Sequence, residues 1–88
     1  MSASISIPTI HTNGTTKSEL QSQLLHACNE LHNAREALLL AMPNGRDYYP
    51  QGNWAIDEAR SAHVDRIARI EAVRAELMTI WQGIDEQS

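Results

Sequence analysis

The chain has 88 residues, one cysteine, no phenylalanine and a formal charge of −4 with its histidines neutral. That makes one small domain at most, with no internal disulfide and no basic surface of the kind that grips nucleic acid by displacing counterions from phosphates. No apolar run approaches the ~20 residues that span a bilayer, so no membrane partner is expected.

The start of the sequence lacks the basic stretch and apolar core of a secretion signal. The lone thiol of Cys28 fits a reducing compartment, and the expected location is the cytoplasm. The aromatic residues are Tyr48, Tyr49, Trp54 and Trp81, and the apolar mass is mostly Ala, Leu and Ile, a helical vocabulary. A chain this small usually needs a metal, a disulfide or a partner chain to hold it together.

Residues 1–15 carry no helical period. Ile5, Ile7 and Ile10 alternate briefly around Pro8, and Asn13-Gly14 is a turn signal. A flexible arm is expected here, because short polar ends seldom stay ordered alone. The other reading is an extended arm whose isoleucines lie on the helices or on a neighbouring chain.

The first helix is expected over about 16–42. Thr16-Lys17-Ser18-Glu19 fits a capping box, in which the threonine hydroxyl takes the Glu19 amide and Glu19 reaches back to the Thr16 amide. A 3-4 spacing then runs through Leu20, Leu24, Ala27, Leu31, Ala34, Leu38 and Ala41. Leu25, Cys28, Leu39, Leu40 and Met42 widen the apolar surface, and near residues 38–42 it covers most of the circumference. Pro43 ends the helix by restricting the residue before it.

Residues 43–53 hold two prolines, two glycines and three further turn formers, so no helix crosses them. The second helix is expected over about 54–84, with Asn53 as its N-cap and Asp57 and Glu58 near the positive end of its dipole. Its apolar stripe reads Ile56, Ala59, His63, Ile67, Ile70, Val73, Leu77, Ile80 and Ile84. Arg60, Asp65, Arg66, Arg69, Glu71, Arg74 and Glu76 fall mostly on the other side, with Asp65 and Arg69 as an i,i+4 ion pair. Residues 85–88 are expected to fray.

Two helices joined by an 11-residue loop fold back on each other. The expected fold is all-α, an antiparallel two-helix hairpin. Two helices cannot enclose a core, and the first has more apolar surface than one neighbour buries. The simplest resolution is self-association of two hairpins into a four-helix bundle. Leu24, Leu31, Leu38, Leu39, Met42 and His63 are the expected interface.

No metal site is expected from the four histidines. His26 and Glu30 share helical spacing, but Cys28 and His32 do not join them, and no Cys-x-x-Cys or His-Glu-x-x-His motif is present. His63, inside the apolar stripe, reads as a buried residue needing a hydrogen-bond partner across the helix pair. Cys28 reads as a small buried hydrophobe. No nucleophile, base and orienting group share a spacing that assembles them, so no catalytic residue, no cofactor and no enzyme are expected.

The loop supplies the best binding candidates: Arg46, Asp47, Tyr48, Tyr49 and Trp54. Arginine makes forked contacts with carboxylates and phosphates, and tyrosine and tryptophan are enriched at recognition hot spots. In the alternative structural reading the tyrosines fold over Met42 and Trp54 and close the end of the hairpin.

Residues 45–52, Gly-Arg-Asp-Tyr-Tyr-Pro-Gln-Gly, followed by a helix containing His63, Arg66, Val73, Glu76 and Leu77, resemble small helical proteins encoded in bacteriophage and prophage genomes. The likeness covers the C-terminal half. It implies a phage accessory protein that binds a host or virion component in the host cytoplasm, and it brings no catalytic motif. The expected function is therefore a non-enzymatic protein–protein interaction module. The alternative is a binder of a small anionic, nucleotide-like ligand held by the loop and the arginines of the second helix.

Overall fold

The computed structural model describes residues 5–87. Among them the chain is all-helical, with α1 (Lys17–Leu40), α2 (Gly45–Tyr48), a 3-10 turn (Tyr49–Gln51) and α3 (Asn53–Asp85). No helix is long and apolar enough to cross a membrane among the described residues.

The Thr16 hydroxyl accepts from the Glu19 N–H at 3.2 Å and starts α1. Only this half of the capping box forms. At the other end α1 stops two residues short of Met42. The Ala41 N–H is shared between the carbonyls of Ala37 and Leu38, which tightens the last turn, and Pro43 keeps Met42 out of helical conformation.

Residues 43–52 are more ordered than a plain loop. The Asn44 side chain accepts the Arg46 N–H at 2.9 Å and opens the single turn of α2. Pro50 sits in the first turn of the 3-10 segment, where its missing N–H costs nothing. Gly52, at φ +110°, then swings the chain into α3. Gly52 therefore holds the N-cap position expected for Asn53, which is already the first helical residue.

Five pairings fix the direction of the long helices. Lys17 and Gln21 reach Asp85, the Cys28 thiol faces the Arg74 carbonyl, Arg35 meets Glu71, and the Leu38 carbonyl meets His63. As one number rises the other falls, so α1 and α3 run antiparallel. With 33 residues against 24, α3 is longer by about 14 Å at 1.5 Å per residue. The excess lies at its start, where α2 and the 3-10 turn pack against it and Ala55 is buried.

The seam of α1 keeps Leu24, Leu31 and Leu38 but is turned by about 60° from the Leu20–Leu24–Ala27–Leu31–Ala34–Leu38–Ala41 line that apolarity suggests. The side facing α3 is Lys17, Gln21, Leu24, Cys28, Leu31, Arg35, Leu38 and Met42, all buried or half-buried, while Ala34 and Ala41 are exposed. On α3 likewise Arg74 and Trp81 take seam positions, and Val73 stays exposed. Long polar side chains can occupy a seam because their stems are apolar and their heads reach out to a partner. Gln21 finds Asp85 and Arg35 finds Glu71.

The core is thin. Among the described residues Cys28, Ala55 and Ile84 are the buried apolar ones, joined by His63. The molecule measures 61 × 27 × 17 Å. Its radius of gyration is 18.5 Å, against about 12 Å for a compact chain of this length. It exposes 6560 Å², against about 5200 Å² for a compact monomer of this mass.

Residues 5–15 cross the end of the helix pair opposite the tip. The Gln87 amide grips them like a neighbouring strand, taking the Ile10 N–H at 2.9 Å and donating to the Pro8 carbonyl at 2.7 Å. Ile7 lies over Gly83, where an added Cβ would come within 2.5 Å of its Cδ1. The Lys17 ammonium caps the end of α3 by donating to the Asp85 and Gln87 carbonyls, at 3.0 and 2.6 Å. The expected arm and tail also include residues 1–4 and 88, which lie outside the described residues.

Candidate functional site

The tip is built from the outside in. Asn44 and Gly52 set the backbone, and the short turns between them display the side chains. Tyr49 is 82% exposed, Trp54 is 63% exposed, and Arg46 and Asp47 are open to solvent. Tyr48 is half-buried, so the two tyrosines divide between solvent and structure. The Trp54 indole leans back over Gly52, whose added Cβ would meet Nε1 at 3.1 Å. Gly52 is thus needed for both its backbone angle and its lack of a side chain.

Leu40 belongs to the same end and was not among the expected contact residues. It is 91% exposed, on the last turn of α1. Its signal was the apolar run through residues 38–42, too wide for one neighbouring helix. An exposed leucine alone is ordinary, but Leu40, Tyr49 and Trp54 put three large apolar side chains on one end.

The residues expected at a self-association interface divide. Leu24 and His63 turn inward between α1 and α3. His63 Nε2 lies 2.6 Å from the Leu38 carbonyl, so that ring nitrogen carries the proton and donates it. Met42 is half-buried, and Leu39 is exposed. Leu31 and Leu38 line a shallow groove of about 450 Å³ with Ile70 and Val73, rimmed by Arg66 and Arg69.

A charged ladder crosses the pair on another side. His32 approaches Glu36 at 3.9 Å, Glu36 meets Arg35 at 3.0 Å, and Arg35 meets Glu71 at 3.4 Å. Arg74 closes on the same Glu71 oxygen at 3.6 Å. That Oε1 is covered from solvent and accepts no well-aligned hydrogen bond, so the two guanidinium charges alone offset its burial. Apolar spacing gave no hint of this cluster, which half-buries Glu71 and Arg74, two of the residues expected mostly on the side away from the apolar stripe. Asp65 and Arg69 form the expected i,i+4 pair at 3.0 Å.

His26 and His32 are exposed on α1, and no three His, Cys, Asp or Glu side chains gather as a metal set among the described residues. The Trp81 Nε1 is covered and has no acceptor; its ring walls an open hollow beside Lys17, Gln21, Leu25 and His26. Along α3 from its first residue, Arg60 lies about 10 Å away and Arg66 about 20 Å away, with Arg69 and Arg74 farther still. Compared with protein-family models, with curated proteins and with solved structures, the chain matches none.

Proposed function

We propose that the chain is a non-enzymatic protein–protein interaction module. Its unit is a two-helix hairpin that pairs with a second copy as a four-helix bundle and docks on another protein through the tip. The observation that carries this reading is the display of Leu40, Tyr49 and Trp54 at one end of a molecule with few buried residues. Exposed aromatic side chains beside Arg46 and Asp47 have the composition of a recognition hot spot with a polar rim.

The exposed area supports self-association. It exceeds that of a compact monomer by about 1400 Å², more than the ~800 Å² per partner that a standard interface covers. The likeness of residues 45–52 and the following helix to small phage and prophage proteins supports an accessory role, with a host or virion protein as the target and the host cytoplasm as the setting.

Two measurements test the proposal. Light scattering behind size exclusion, over a dilution series, is expected to return a mass of two chains. Affinity capture with a Tyr49→Ser/Trp54→Ser variant of unchanged helicity is expected to lose the partner that the wild type retains. Equal capture by both proteins would remove the tip from the function. A clean monomer would remove the bundle and leave the apolar side of α1 as the contact surface.

A further inference from the structure

We infer that Trp54, Asp57 and Glu58, at the start of α3, form a seat for an arginine side chain of the docked protein. This inference rests on the tip-docking reading above and assigns the chemistry of its partner.

Trp54 lies on the side of α3 turned away from α1. At 100° per residue it stands about 180° from His63, the buried residue that meets the Leu38 carbonyl. The indole rests on Gly52 through its Nε1–Cδ1 edge, and 63% of the residue stays exposed. Asp57 and Glu58 follow one turn on, about 60° to one side of Trp54 and about 40° to the other. Helical side chains lean toward the N-terminus, so both carboxylates cover the turn that carries the indole. Both residues are exposed, and neither makes an ion pair among the described residues.

The helix end does not use these two charges. Asn53 is the first helical residue, and the first turn of α3 holds no acidic side chain. Asp57 and Glu58 stand beyond that turn, where the dipole has faded. No basic residue cancels them on their side of the helix. Arg60 points about 120° from Trp54, and Arg46 and Asp47 on α2 offset each other. Farther along the same side, Arg69 is held by Asp65 at 3.0 Å. The outer side of α3 from Trp54 to Ser61 therefore carries two negative charges beside an open aromatic ring.

That combination suits one kind of side chain. The negative face of an indole attracts a cation. A planar guanidinium stacks on the ring while the N–H groups around its edge remain free to donate to carboxylates. A lysine ammonium has no flat face to stack, and an acidic or phosphorylated partner would be repelled.

The test titrates the full chain, isotopically labelled, with a blocked Gly-Arg-Gly-Arg-Gly peptide and follows the indole Nε1–H resonances of Trp54 and Trp81. The Trp54 signal is expected to move, and that of Trp81, whose Nε1 is covered, to stay in place. The same peptide with citrulline for arginine, alike in shape but uncharged, is expected to bind about tenfold more weakly or worse. The arginine peptide is expected to lose a similar factor against Asp57→Asn/Glu58→Gln.

A citrulline peptide that binds as well as the arginine one overturns the inference. So does binding that the double variant leaves unchanged, or a Trp54 signal that the arginine peptide never moves. Capture separates this outcome from the docking reading. A partner lost by Tyr49→Ser/Trp54→Ser but held by Asp57→Asn/Glu58→Gln keeps the tip as the contact and removes the arginine seat. A partner held by both variants removes the tip as well.

Discussion

Replacing Gly83 with alanine sets two comparable effects against each other. An alanine inside a helix gains at most about 1 kcal/mol over glycine in backbone entropy. The new methyl would stand 2.5 Å from Ile7 Cδ1, 2.9 Å from Cγ2 and 3.2 Å from Cγ1. Ile7 branches at Cβ and has few rotamers to retreat into, so residues 5–10 must lift. Ile7 is 43% exposed. Full burial of an isoleucine is worth about 1.5–3 kcal/mol, so its seat contributes about 1 kcal/mol.

The gain and the loss nearly cancel. Tm is expected to stay within about 2 °C, while the Ile10 amide, bonded to Gln87 Oε1, exchanges about fivefold faster. Ile7→Ala alone should lower Tm. Adding Gly83→Ala to it should return the helical gain unopposed, raising Tm by about 4–8 °C. A single Gly83→Ala variant that gains that full increment with Ile10 still protected would refute the seating of Ile7 on α3.

Three further substitutions probe the rest of the molecule. His63→Ala removes a buried ring and its bond to the Leu38 carbonyl; it should cost about 2–3 kcal/mol in urea denaturation, and a midpoint that does not move would show that the ring is not held between the helices. Glu71→Gln leaves Arg35 and Arg74 facing each other without a countercharge. Because all three side chains are a third or more exposed, the loss should stay near 1 kcal/mol and shrink in high salt; a loss that salt leaves unchanged would mean that charge is not its cause. Tyr49→Ala should leave stability within about 0.5 kcal/mol, whereas Tyr48→Ala should cost about 1–2 kcal/mol; equal costs would contradict the division of the two tyrosines.

Local chemistry made much of the architecture legible. Thr16 and Pro43 bracket α1 because a capping hydroxyl and a proline ring act on their near neighbours, whatever the fold. Asn44 and Gly52 signalled the break between the long helices for the same reason, although the sequence pattern did not resolve the turns that α2 and the 3-10 segment make there. What the pattern could not set was the rotation of the helices about their axes. The apolar arc of α1 is so wide that several seams fit it. Arg35, Gln21 and Arg74 decide among them through Glu71 and Asp85, partners that lie 36, 64 and 3 residues away in the chain. At the tip the sequence allowed Tyr48 and Tyr49 one role each, contact and packing, without saying which took which. Only the turn after α2 separates their exposures, and only the end of α1 adds Leu40.

The clasp at Gln87 and Lys17 also settles how the molecule would respond to force. Anything tethered near residue 5 or residue 87 attaches at the same end, with the tip at the far end of a body 61 Å long. Tension applied between those two attachments peels α1 from α3 instead of sliding one along the other. The side-chain bonds of Gln87, Lys17 and Gln21 would then break in succession, each bearing the load alone. The helix pair should therefore open like a zipper at low force, whereas a pull between the tip and residue 87 would load α3 along its own axis and leave the clasp unpeeled.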